Sequence, residues 1–285
     1  MKNLIAIISG EPNSINSEII SKVWKNLNKN LKKKIFVIGN FLLLENQLKK
    51  IKSPIKIKKI NTFKELSLKG PSNQLKILNI KLKFKNSFNV DLKENSQYVL
   101  KSINLANDLA NKNKIRGFIN CSIDKKNVFK SSNQGVTEYL ANKNNIKNLE
   151  VMMIYNKKLS VVPITTHINV KEISKSLHRE LIVKKVKTLN KYYFKIFKKK
   201  PLIAILGLNP HNGELRTNTE EKKIILPAMK KLNKLNIRVL VPFAADTAFV
   251  DSKKKKINVI VGMYHDQVLT PFKALYNCDA INITL

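Results

Sequence analysis

Short apolar runs bounded by turn residues alternate along the chain with segments whose apolar side chains recur every three or four positions. Those two periods separate buried strands from amphipathic helices. Leu4 to Ile8 reads as a buried strand, the Gly10-Glu11-Pro12 turn follows, and Ser17 to Lys32 has helical spacing with Ser17 as its N-cap. Lys34 to Gly39 predicts the next strand and Phe41 to Ile51 a helix. Residues 52 to 90 give lysine-rich short strands and a Gly70-Pro71 turn; Ser96 to Lys114 is amphipathic and helical, and Arg116 to Asn120 is a strand. Glu150 to Tyr155 and Leu159 to Ile164 are β-rich runs joined by Asn156-Lys157-Lys158, which predicts a hairpin.

Val170 to Lys198 predicts one long helix with a lysine-rich solvated face. Leu202 to Leu206, Ile237 to Pro242 and Ile257 to Val261 are further buried strands, separated by a loop and by a helix from Glu220 to Leu235. The alternation implies an α/β fold with a mostly parallel sheet and a few antiparallel additions. With no repeat and no Gly/Ser linker, two lobes would share a continuous scaffold. Sites in such folds sit in loops at the carboxyl ends of strands.

With 285 residues, 43% of them hydrophobic, the chain can bury the core of one large domain or two modest ones. Its two cysteines, Cys121 and Cys278, form no CxxC pair and no disulfide framework, so a reducing cytoplasm is expected. The opening MKNLIAIISGEPNS carries no small-residue cleavage site, and no apolar run approaches the roughly 20 residues of a membrane span. The formal charge of +35 would ordinarily suggest nucleic acid or an anionic membrane. Only four of the 54 basic residues are arginine, however, the type that base and phosphate readers favour. The lysine surplus accompanies heavy use of Asn and Ile over the whole length, as AT-rich codons would produce. No specific nucleic acid and no membrane is expected as a partner; the field would steer a small anionic substrate.

Three of the four histidines lie where a buried strand run ends: His167, His211 and His265. The fourth, His178, falls in the lysine-rich helix. Thr165-Thr166-His167, Asn209-Pro210-His211-Asn212-Gly213-Glu214 and Tyr264-His265-Asp266-Gln267 each surround imidazole with short polar residues able to orient its second ring nitrogen. Acids are scarce, yet Glu214, Glu220, Glu221, Asp246 and Asp266 gather around these loops. Three neutral imidazoles suit Zn²⁺, or Co²⁺, Mn²⁺ or Mg²⁺ with added oxygen ligands, acting as a Lewis acid on an alcohol or carbonyl oxygen. A GxGxxG fingerprint, a P-loop and an HExxH motif are all absent.

Taken together, TTH at 165–167, GLNPHNGE at 207–214 with Glu220-Glu221, PFAADTAF at 242–249, MYHDQ at 263–267 with Lys273, and INITL at 281–285 resemble the 4-hydroxythreonine-4-phosphate dehydrogenase family of pyridoxal phosphate biosynthesis. Fainter echoes are GEPNSINSE at 10–18, SIDKK at 122–126 and GVTEYLA at 135–141. The resemblance implies an isopropylmalate-dehydrogenase-like fold of two α/β lobes with a cleft between them. The lobes are expected at residues 1–130, which would also receive C-terminal segments, and 131–285, which carries the metal-binding loops. It also implies a homodimer whose metal site is shared between subunits. His167, His211 and His265 would be the divalent-metal ligands, for Zn, Co or Mg. Thr137, Lys273 and Asn282 match substrate-contacting positions, and Lys273 and Asp246 are the candidate catalytic residues. NAD⁺ would accept hydride from the carbon bearing the 3-hydroxyl of 4-phosphooxy-L-threonine. The resulting β-keto acid would lose CO₂ to give 3-amino-2-oxopropyl phosphate.

The chain departs from the family pattern in places. Val136 stands where the family has a substrate-contacting His; Ser14, Asn16 and Ser17 replace Gly, Gly and Pro; Val268 replaces the Gly after YHDQ; and the 213–221 loop is one residue shorter. The family pattern also continues for a few dozen residues past INITL, with an Arg and a DHGTA segment. Val136 leaves open a related substrate such as a phosphothreonate. The charge and the ending leave open a catalytically impaired relative that only binds metal or polyanions.

Overall fold

The computed structural model describes residues 3–67, 73–130, 135–146 and 149–285; the expected Gly70-Pro71 turn lies outside them. The chain divides into two compact units, residues 1–135 and 136–285.

In the first unit, β1 (Ile5–Ile8), α1 (Asn16–Asn26), α2 (Lys29–Lys32), β2 (Ile35–Gly39), α3 (Phe41–Lys50), β3 (Lys56–Ile60), β4 (Gln74–Asn79), α4 (Leu92–Asn111), β5 (Gly117–Asn120) and α5 (Lys125–Phe129) follow in order. The five strands form one parallel sheet in the order β3-β4-β2-β1-β5. β2 is buried almost throughout, as a central parallel strand covered on both faces must be. The segment expected to be one helix from Ser17 is instead two. The first is entered through Ile15, which makes no side-chain cap, and Ser17 is buried inside it. Asn28 caps the second by accepting from the Leu31 N–H. A helix-turn restart is what that Asn offers, since its carbonyl satisfies an orphan donor. The long helix expected from Ser96 begins four residues earlier, because Asp91 accepts from Lys93 and Glu94 N–H and fixes its start.

The second unit holds α6 (Val136–Lys143), β6 (Met152–Tyr155), β7 (Ser160–Thr165), α7 (Ile173–Ser176), α8 (Arg179–Phe197), β8 (Ile203–Leu206), α9 (Leu226–Lys234), β9 (Val239–Phe243), α10 (Ala245–Lys254), β10 (Val259–Tyr264), α11 (His265–Tyr276) and β11 (Ile281–Thr284). Its sheet runs β11-β6-β7-β10-β8-β9, with β7, β10, β8 and β9 parallel and the β6-β7 hairpin and β11 antiparallel. Val259, Ile260 and Val261 of β10 are fully buried between two apolar clusters, one on each face of the sheet. The single helix expected over 170–198 is broken: a 3₁₀ turn and α7 precede an extended Leu177-His178 link, so His178 enters α8 at its N-cap rather than lying within it. Leu177 is buried, and burying it costs the helix its continuity.

Candidate functional site

Register decides where the three strand-end histidines go. Tyr264 of β10 pairs with Thr165 of β7, Val261 with Ile205 of β8, and Leu206 of β8 with Phe243 of β9. The four parallel strands therefore end nearly level, and the residues that follow them share one edge of the sheet. His167 follows β7, His265 opens α11 directly after β10, and His211 lies in a short turn, 210–215, after β8.

Side chains stitch these ends together. Thr165 Oγ1 donates to the Met263 carbonyl at 2.8 Å, the Met263 N–H donates to Gln267 Oε1 at 2.6 Å, and Gln267 Nε2 donates to the Gly207 carbonyl at 2.7 Å. Asn212 Nδ2 continues the belt to the Pro242 carbonyl at 3.1 Å. Beneath it lies Glu221, a carboxylate with 0% exposure, whose Oε1 accepts from the Leu208 and Asn209 N–H groups at 2.7 and 2.8 Å and whose Oε2 accepts from Asn209 Nδ2 at 3.0 Å. Burial alone would raise the Glu221 pKa, but the hydrogen bonds from Asn209 and Leu208 outweigh it and hold the group below its ordinary value of 4.5. Glu220 is lowered as well, by Ser174 first and Asn209 second.

This scaffold holds a backbone the chain would not adopt unaided. His211, Asn212, Gly213 and Glu214 are all left-handed, with φ of 50°, 58°, 58° and 50°. His167 is left-handed too, at φ 47°. For non-glycine residues that conformation costs roughly 1–2 kcal/mol each, so the belt and Glu221 stabilise what local preference opposes. Gly213 is required where it stands, because a side chain there would press on Thr219 and Glu221.

The structure brings His167 and His265 together, with ring centres 6.0 Å apart. His265 Nδ1 lies 2.7 Å from Asp266 Oδ1, which places the proton on Nδ1 and leaves Nε2 as the open lone pair. His167 Nε2 lies 3.8 Å from Glu138 Oε1 on α6. The adjacent Thr137 exchanges a hydrogen bond with Thr284 of β11 at 2.8 Å, and Asn282 lies two residues back along that strand, on the same face. Thr137 is thus tied to the strand that carries Asn282, through Thr284. Asp246 is exposed in the first turn of α10, and Lys273 is exposed in the last turn of α11. Eight residues of helix put Lys273 roughly 12 Å along the axis from His265. Val268 takes the room over Gly262, where any side chain on that glycine would collide with it, so the Gly-to-Val departure is absorbed within the core.

The donor chemistry fits a divalent ion. Two imidazoles on one metal, with bonds of about 2.1 Å, have ring centres roughly 5–6 Å apart, as His167 and His265 do. Among the described residues no three His, Cys, Asp or Glu side chains converge as a ligand group, and His211 does not join the pair. Glu138 escaped the sequence reading, since a single acid in an amphipathic helix looks like any solvated one.

A family profile described as pyridoxal phosphate biosynthetic protein PdxA matches residues 15–285. The chain belongs to the PdxA family. Among PdxA relatives named 4-hydroxythreonine-4-phosphate dehydrogenase, the one from Sulfurihydrogenibium is 35% identical over 99% of this chain and 86% of its own length. That from Aquifex aeolicus is 33% identical over 100% and 87%. Solved structures of the same enzyme from Klebsiella pneumoniae and Burkholderia phymatum superpose with TM-scores of 0.84 and 0.85 at 24% identity. Each alignment covers 99% of this chain, and 87% and 86% of theirs respectively. The fold is thus the isopropylmalate-dehydrogenase-like α/β arrangement expected, and membership of PdxA makes the chain an oxidoreductase of pyridoxal phosphate biosynthesis. Among the described residues no helix is long and apolar enough to cross a membrane.

Proposed function

We propose that the chain oxidises and decarboxylates 4-phosphooxy-L-threonine with NAD⁺, using a divalent metal held by His167, His211 and His265 in a site shared between the subunits of a homodimer. The observation that carries this is the paired placement of His167 and His265 at adjacent strand ends, beside Thr137 and within one sheet of Asn282. NAD⁺ follows from the family alone, and no residue here is assigned to it.

Thr137 and Asn282 bind and orient the substrate from α6 and β11. Lys273, two turns along α11 from His265, balances negative charge at an anionic end of the substrate rather than at the reacting carbon. Asp246 is the exposed carboxylate able to take or return a proton. The C–H bond at the 3-carbon breaks and its hydride goes to NAD⁺, while the hydroxyl proton passes to a base. The β-keto acid then loses CO₂, and the electron pair left behind takes up a proton to give 3-amino-2-oxopropyl phosphate. A divalent metal, when bound, supplies Lewis-acid stabilisation of negative charge on the substrate oxygen through this sequence.

A second substrate has specific support. Val136, on α6 beside Thr137, offers no hydrogen bond where the family's pattern has an imidazole. A relative from Oceanobacillus iheyensis, provisionally named for D-threonate 4-phosphate, is 29% identical over 100% of this chain. The test is NADH formation by the purified chain with Mg²⁺ or Zn²⁺ on each substrate in turn. Turnover of 4-phosphooxy-L-threonine with release of CO₂ and 3-amino-2-oxopropyl phosphate is the expected result. Turnover of 4-phospho-D-threonate alone would replace the first substrate by the second.

A further inference from the structure

At the other end of the second sheet from the histidines, the β6-β7 hairpin and the end of α8 line a cavity of about 320 Å³. β7 runs from Ser160 in that lining to Thr165 near the histidines, roughly 17 Å of strand, so the two places are separate. Asn156 pins the hairpin turn: its Nδ2 donates to the Asp279 carbonyl at 2.5 Å and to Asp279 Oδ2 at 3.1 Å, and its Oδ1 accepts from the Lys158 N–H at 2.8 Å. Lys157 and Lys158 therefore enter the lining from a fixed turn. Lys198 ends α8 in a left-handed cap at φ 58°, and Lys199 follows it into the same lining. Tyr155 stacks on Phe197 with ring centres 4.8 Å apart, and Phe197 packs on Tyr193 at 4.5 Å, which makes one continuous aromatic wall.

Ser160 is the buried polar group of this cavity, only 1% exposed, on the face of β7 that Val162 and Ile164 turn towards Tyr193. Its N–H donates to the Asn258 carbonyl at 3.0 Å, yet its hydroxyl has no hydrogen-bond partner among the described residues. Asn258 Oδ1 accepts from the Leu202 N–H at 2.9 Å, and its Nδ2 is left as a spare donor. A buried hydroxyl without a partner carries a penalty that a bound acceptor removes. Among the described residues that line the cavity none is acidic. Three ammonium groups, a hydroxyl and an amide are the donors that anionic oxygens accept from, and the ring wall suits a flat apolar body. The volume lies at the lower end of the roughly 300–1,000 Å³ of small-molecule sites, more than a bare ion fills.

We propose that this cavity binds a small aromatic phosphate monoester, its phosphate held by Ser160, Lys157, Lys158 and Lys199 and its ring laid against Tyr155 and Phe197. Lysines elsewhere on the chain attract anions without fixing them. Here a buried hydroxyl, a pinned turn and a wall of rings add the geometry that makes a ligand site.

Calorimetric titration of the purified full chain with phenyl phosphate, and separately with inorganic phosphate, tests this. Phenyl phosphate should bind saturably and about tenfold more tightly than inorganic phosphate, because only the ester reaches the aromatic wall. Ser160→Ala and the double variant Lys157→Met/Lys199→Met should each weaken phenyl phosphate binding about tenfold, with circular dichroism confirming that both are folded. Thr137→Ala, which alters the opposite end of the sheet, should bind phenyl phosphate as wild type does. No saturable binding by wild type, unchanged affinity in the folded double-lysine variant, or a loss that appears in Thr137→Ala instead, overturns the site. Inorganic phosphate binding as tightly as phenyl phosphate overturns the aromatic class of ligand.

Discussion

The two units use one architectural rule and put opposite things at the ends of their strands. In the first, the polar side chains that follow the strands turn inward and close their own loops. Asn40, after β2, accepts from Leu43 N–H and donates to the Ile80 carbonyl, and its own N–H reaches Tyr98 Oη. Asn16 and Gln47 likewise spend their amides on backbone carbonyls of Ser122, Pro12 and Ser87. In the second unit the side chains after β7, β10 and β8 are imidazoles, and the hydrogen-bonding effort goes into the residues beneath them. Gln267, Asn212 and Glu221 tie the backbone while His167 and His265 keep open ring nitrogens. In the first unit the amide N–H groups are spent on backbone carbonyls; in the second the bracing falls to the residues beneath the imidazoles.

Exchanging the two kinds of damage tests this contrast. His265→Ala should weaken Zn²⁺ binding by more than the roughly 100-fold that loss of an orienting partner can cost, while the unfolding midpoint of the metal-free protein barely moves. Asn40→Ala should do the reverse, lowering stability by about 2 kcal/mol through a lost helix cap and an unanswered Ile80 carbonyl, with Zn²⁺ affinity intact. Urea unfolding and Zn²⁺ titration of both variants read the crossing directly. If both variants lose both properties together, the division of labour is wrong.

The smallest effect is expected in the pH dependence of the brace. Glu221 and Glu220 have folded-state pKa values lowered from 4.5, so the stability they lend is fully present above pH 4.5 and is lost as pH falls through their folded values. Urea midpoints of wild type should hold steady from pH 7 to about pH 5 and then decline. Glu221→Gln should start lower and show a shallower acid decline. An identical acid slope in the variant would remove Glu221 from the account of the His211 turn.

Much of this was legible in the sequence. Contiguous apolar runs marked β8 and β10, the Asn156-Lys157-Lys158 link marked the hairpin, and three histidines at run ends all fall at one edge of one sheet. What stayed hidden depended on tertiary contact. Ser17 has the chemistry of an N-cap, but it is buried as the second residue of α1, two positions past the Ile15 cap. The 170–198 stretch is helical by spacing until Leu177 is drawn into the core. The left-handed turn at 211–214 contradicts the local preference of three of its four residues, and only Glu221 and Asn212, seen in place, explain it. Glu138 looks like an ordinary surface charge until α6 brings it to His167. Lys273 and Asp246 came from motif likeness, and both are exposed.

The central claim is that the histidine edge of the second unit works by holding a divalent metal. Its most direct test is NADH formation from 4-phosphooxy-L-threonine by chelator-stripped protein before and after metal is restored. Turnover should vanish on stripping and return with Zn²⁺, Co²⁺ or Mg²⁺. Undiminished turnover by the stripped protein would contradict it.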